Sequence, residues 1–113
     1  MINLKVDEAY AFDYLSILDI KKSLNKDCYN AWQKCFDFIQ EQINRNKMSE
    51  IIESTEYKNM IDTNKLTFDA VEKARYGKEI TAKEVDDINM ARHKRKLELQ
   101  SKFFDNILTE YKT

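Results

Sequence analysis

Ile80-Thr81-Ala82-Lys83-Glu84-Val85-Asp86-Asp87 carries the most specific local signal in the chain. Thr81 and Glu84 stand at the spacing of a capping box, in which the threonine side chain caps a helix and the glutamate reaches back. Ile80 and Val85 occupy the positions of a hydrophobic staple. Asp86 and Asp87 add negative charge near a helix N-terminus, where the backbone dipole favours it. A helix therefore starts at Ala82. No glycine or proline follows, so the helix is expected to run to about Tyr111, roughly 45 Å at the α-helical rise. That exceeds the ~26 Å diameter of a compact domain of about this size.

This last helix carries two apolar rows. One is Val85, Ile88, Leu99, Phe103 and Ile107; the other is Met90, Leu97, Phe104, Leu108 and Tyr111. The rows lie about 130° apart, so the helix packs between neighbours rather than on one.

Upstream, the same kind of reading yields three more helices. Asp7 is the expected N-cap of a first helix over about Glu8–Lys22. Its apolar positions are Ala11, Tyr14, Leu15 and Leu18, flanked by Tyr10, Ile17 and Ile20. A second helix spans about 28–46, with Cys28, Trp32, Cys35, Phe36, Ile39 and Ile43 on one stripe and Phe38 off it. Ser49 can open a short helical turn through Ile52. Ser54 or Thr55 then caps a third helix with Tyr57, Met60, Ile61, Asn64, Phe68, Val71 and Ala74 inward. Gly77 follows Tyr76 and suits the left-handed residue that closes a helix. Ile2, Leu4 and Val6 alternate with polar residues, which suggests a short extended N-terminal segment.

Composition agrees with long helices. The 113 residues include one glycine and no proline, too few for the tight turns of a sheet protein. Hydrophobic residues make up 42%, enough for a core without disulfides or metals. The expected fold is all-α: residues 1–113 as one domain, an elongated bundle of about four helices.

The formal net charge is −1, from 19 basic and 20 acidic residues. That balance gives no bulk attraction for nucleic acid or anionic membrane. There is no run of 18 apolar residues to span a membrane and no basic start of a signal peptide, so a cytoplasmic location is expected. Cys28 and Cys35, on one helix, would lie roughly 10 Å apart along its axis. A disulfide needs Cα atoms within about 7 Å, so they cannot pair with each other. With His93 as the single histidine, no metal or cofactor is expected.

Three constellations bear on function. Asn89, His93, Lys96 and Gln100 recur at four, three and four residues, one polar line between the apolar rows. Turned inward it would hold a small ligand or an anion, or fix helix register; turned outward it is a solvated face. Arg92-His93-Lys94-Arg95-Lys96 is a dense basic run, with Arg92, Lys94 and Arg95 as nucleic-acid contacts in that reading. Five consecutive helical residues point all round, however, and Lys94, Glu98 and Lys102 stand at ion-pairing intervals. The third constellation is the aromatic excess. Tyr14, Phe38, Phe103, Phe104, Leu108 and Tyr111 fall where a subunit interface would cover them.

The opening Leu4-Lys-Val-Asp-Glu-Ala-Tyr-Ala-Phe-Asp-Tyr14, the stretch Thr67-Phe-Asp-Ala-Val-Glu-Lys-Ala74 and the segment Leu99-Gln-Ser-Lys-Phe-Phe104 resemble small uncharacterised proteins of marine T4-like bacteriophages. The resemblance implies a phage accessory protein acting in a bacterial host, and it transfers no site residue. The expectation is a non-catalytic, homodimeric interaction protein with itself, a host protein or a phage protein as partner. A nucleic-acid-associated protein using residues 92–96 is the first alternative. A ligand-binding or enzymatic protein using the polar line is the second.

Overall fold

A computed structural model describes residues 7–77 and 79–104. They form five α-helices: α1 (Glu8–Leu24), α2 (Tyr29–Ile43), α3 (Arg45–Ile52), α4 (Thr55–Arg75) and α5 (Ala82–Phe103), with a 3-10 turn at Lys26–Cys28. The alternating segment at residues 2–6 lies outside the described residues, as do Ile107, Leu108 and Tyr111.

The start of α5 is where the capping box puts it. Thr81 is the N-cap, and the Glu84 N–H donates to Thr81 Oγ1 at 3.1 Å. Its end is not where the sequence suggests. The last helical residue is Phe103, and Phe104 is extended at φ −136°, ψ 136°. On a continuing helix Phe103 and Phe104 would point 100° apart, and one ring would leave the core. Breaking the helix after Phe103 lets both bury, at 9% and 8% exposure. The Phe104 ring reaches Phe12, centroid to centroid 6.4 Å. The expected elongated bundle is thereby corrected to a compact body with extents of 44 × 41 × 34 Å.

The count of about four helices is corrected as well, and Asn44 is the reason. Its backbone turns to φ 90°, ψ 160°, which interrupts the helix expected to reach residue 46. The Asn44 side chain then caps α3 by accepting from the Lys47 N–H at 2.9 Å. The helix so created buries Met48 and Ile51 completely. At the other junction Gly77 takes φ 77° after α4, as its position suggests.

α1 is the centre of the fold. Ala9, Phe12 and Leu15 meet Ile39 of α2, Met48 and Ile51 of α3, Tyr57 and Met60 of α4, and Leu99 and Phe103 of α5. The buried face of α1 is rotated from the expected stripe: Phe12 is fully buried and Tyr14 is 57% exposed. The aromatic content of α1 made that stripe ambiguous, and packing against the other four helices decided it. α4 and α5 run antiparallel, and burial stops partway along both. No described residue from Lys65 to Glu98 is buried. The inner row of α4 thus loses its cover after Asn64, leaving Phe68 half-buried and Val71 exposed.

Candidate functional site

The polar line of α5 does not converge on one point. Asn89 is exposed and His93 half-buried. The Lys96 ammonium sits 4.5 Å from the Tyr10 ring centroid, a cation–π contact. Gln100 is buried and has a structural task. Its Oε1 accepts from the Ala9 N–H at 2.9 Å, and its Nε2 donates to Glu8 Oε1 at 3.1 Å. Asp7 is the N-cap of α1 but makes no side-chain capping bond. The free N–H at the start of α1 is satisfied instead from α5, across the core.

Two of the three arginines and lysines proposed for nucleic acid are engaged within the chain. Arg92 Nη2 donates to Asp13 Oδ2 at 3.1 Å. Arg95 binds both carboxylate oxygens of Glu98, at 2.9 and 3.2 Å, and its Nε donates to Thr63 Oγ1 at 3.3 Å. Lys94 is exposed. The ion pairs expected at four-residue intervals are replaced: Glu98 takes Arg95, and Lys102 takes Glu56 at 2.8 Å.

Arg92 belongs to a buried network that sequence reasoning missed. The Asn64 amide nitrogen lies 2.9 Å from Asp13 Oδ1 and 2.6 Å from Ser16 Oγ, and the Ser16 hydroxyl donates to the Asp13 carbonyl at 2.6 Å. These groups join α1, α4 and α5 at the level where burial ends. Asn64 on an apolar stripe was the available signal, because a buried amide requires a partner. Its partner 51 residues away could not be read from spacing.

A second buried group couples α1, α2 and α4. The Tyr57 hydroxyl donates to Asp19 Oδ2 at 2.5 Å. Burial, then that bond, hold the phenol proton well above the ordinary tyrosine range. Burial, with the Asp19 charge second, also pushes the Cys35 thiol up. Cys28 and Cys35 are both free thiols. Groups held in their neutral forms are poorly suited to nucleophilic attack. Among the described residues, no three His, Cys, Asp or Glu side chains come together as metal ligands could.

The uncovered half of the α4–α5 hairpin has two unlike faces. On the α1 side, a small notch of about 130 Å³ is lined by Ile17, Asn64, Thr67, Phe68, Val71 and Arg92. Tyr14, exposed and one turn from Ile17, extends this side. On the opposite side, α4 and α5 enclose an open cleft of about 740 Å³. Leu66, Ala70, Tyr76 and Ile88 give it apolar surface, while Asp69, Glu72, Glu84 and Asp87 line it with charge. Of the residues expected at an interface, Tyr14 and Phe38 are exposed, whereas Phe103 and Phe104 are packed into the chain's own core. Compared with protein-family models, with curated proteins and with solved structures, the chain finds no match in any of the three.

Proposed function

We propose that this protein works by binding proteins, a second copy of itself among them, and not by catalysis. The observation that carries the reading is the uncovered half of the hairpin. Its helices bear Leu66, Val71, Tyr76, Val85 and Met90, each at least 46% exposed. Single exposed apolar residues need no explanation, but Leu66 and Tyr76 share one cleft and Val71 joins Phe68 and Ile17 at the notch, so each face gathers apolar surface that a partner could cover.

The notch side is the self-association face in this proposal. Phe68 and Val71 of α4 and Ile17 and Tyr14 of α1 are uncharged, and the Arg92 charge at the notch is paired with Asp13, so the patch can meet its own copy about a two-fold axis with little like-charge repulsion. This moves the interface away from Phe103 and Phe104. A bacterial cytoplasm during phage infection is the setting proposed from the sequence resemblance. Nucleic acid is the weaker reading, because Arg92 and Arg95 already have carboxylate partners.

Light scattering at micromolar concentration tests the proposal. A mass twice 13.5 kDa is expected, falling to 13.5 kDa in Val71→Asp with the helical circular dichroism retained. A wild-type mass of 13.5 kDa would reject self-association.

A further inference from the structure

Four carboxylates that face the body of the protein are paired with cations. Asp13 pairs with Arg92, Asp19 with Lys22, Glu56 with Lys102 and Glu98 with Arg95. The cleft on the far side of the hairpin is different. Asp69, Glu72, Glu84 and Asp87 all line it, and none forms an ion pair among the described residues. Lys73 is the one cation among the described residues of the lining, where four carboxylates stand against one ammonium.

These charges are arranged in two rows. Asp69 and Glu72 are three residues apart on α4, and Glu84 and Asp87 are three apart on α5, so each pair shares a helix face. Leu66, Ala70 and Ile88 lie in the same cleft. Leu66 is largely exposed, an energetically poor position for a leucine that nothing covers. A groove between two antiparallel helices, apolar along its length and acidic on both walls, has the shape and charge to receive a third helix.

The geometry points to a partner protein's amphipathic helix as the occupant: apolar at three- and four-residue steps, with lysine and arginine flanking the stripe. This rests on the binding reading above and names the partner chemistry for one of the two hairpin faces. A second copy is a poor occupant, because two clefts of this charge repel. A metal ion is a poor occupant too, since the carboxylates do not converge as ligands. Basic side chains suit the walls, because their methylene stems cover apolar surface while their heads reach the carboxylates. Tyr76, exposed at the cleft, adds a ring face for a guanidinium.

The test uses the full-length protein and a fluorescein-labelled synthetic helix with leucines on one face and lysines beside them. A control peptide has the same composition in an order that scatters the leucines. Anisotropy titration should give at least tenfold tighter binding of the ordered peptide, weakening as sodium chloride is raised. Neutralising the walls together (Asp69→Asn, Glu72→Gln, Glu84→Gln, Asp87→Asn) should cost at least tenfold, with circular dichroism unchanged. Val71→Asp, on the other face, should leave peptide affinity as it was. Equal binding of the scattered peptide, an unchanged affinity after neutralisation, or loss of binding in Val71→Asp alone would each overturn the proposal. Light scattering on the same samples keeps the two readings separate. A dimer that ignores the ordered peptide overturns the cleft assignment only, and a monomer that binds it through the acidic walls upholds the cleft and rejects the dimer.

Discussion

Replacing Gln100 by leucine should destabilise the protein by about 2 kcal/mol, although leucine is common in cores and fills similar space. The wild-type amide makes two bonds between α5 and the start of α1. Without it the Ala9 N–H stays buried, since Ala9 is 1% exposed and belongs to the first turn of α1. An unsatisfied buried donor costs about 1–3 kcal/mol. Glu8 is half-buried and can turn to water, so losing its bond adds less. The near-conserved volume leaves no large cavity to add to the cost. Gln100→Glu separates the two bonds. Its carboxylate can still accept from the Ala9 N–H, but it faces the Glu8 carboxylate, so its stability should rise on acidification as one of the two acids is protonated. Urea unfolding followed by circular dichroism measures both effects. Asn89→Leu, at the exposed end of the same polar line, should stay within about 0.5 kcal/mol of wild type. A Gln100→Leu loss no larger than that of Asn89→Leu would refute the cross-core capping argument.

Three further outcomes follow from the geometry. Folding holds the Tyr57 proton more tightly than the unfolded chain does, so stability is full below the ordinary tyrosine range and falls as pH rises above it; Tyr57→Phe should flatten that alkaline loss by up to about 1.4 kcal/mol per pH unit, read from urea melts across the range. Asn44 holds a left-handed backbone at φ 90°, which costs a non-glycine residue about 1–3 kcal/mol, whereas glycine in place of an asparagine cap loses only a few tenths; Asn44→Gly should therefore raise the unfolding midpoint, and a lower one would show that the cap outweighs the strain. Thr81→Ala removes the acceptor of the Glu84 N–H and should cost about 1 kcal/mol in a denaturant melt.

Local chemistry was legible in the sequence wherever a few adjacent residues decide the outcome. The threonine cap at Thr81, the cap at Ser54 or Thr55 and the left-handed Gly77 depend on neighbours three or four positions away; all three stand in the structure, with Ser54 taking the second cap. So does the all-helical character of the described residues, which the lack of proline and the scarcity of glycine favour. The stripe of α2 was also readable: Ile39 is buried, Trp32, Cys35, Phe36 and Ile43 pack on the core, and Phe38 stays outside.

What the sequence left undetermined needed distant partners. Gln100 looked like part of a surface or ligand-binding line until the start of α1, 91 residues away, was seen to use it as a cap. Arg92 looked like half of a basic patch until Asp13 was seen to claim it, 79 residues away. Helix periodicity continues through Phe104 and could not signal that burying both rings of the Phe103–Phe104 pair outweighs another turn. Nor could it signal that the inner row of α4 outruns its cover beyond Asn64. Side-chain spacing determines which residues share a face of one helix. Which face is covered, and where cover ends, depends on the length and placement of the other helices, and that is decided only when they pack.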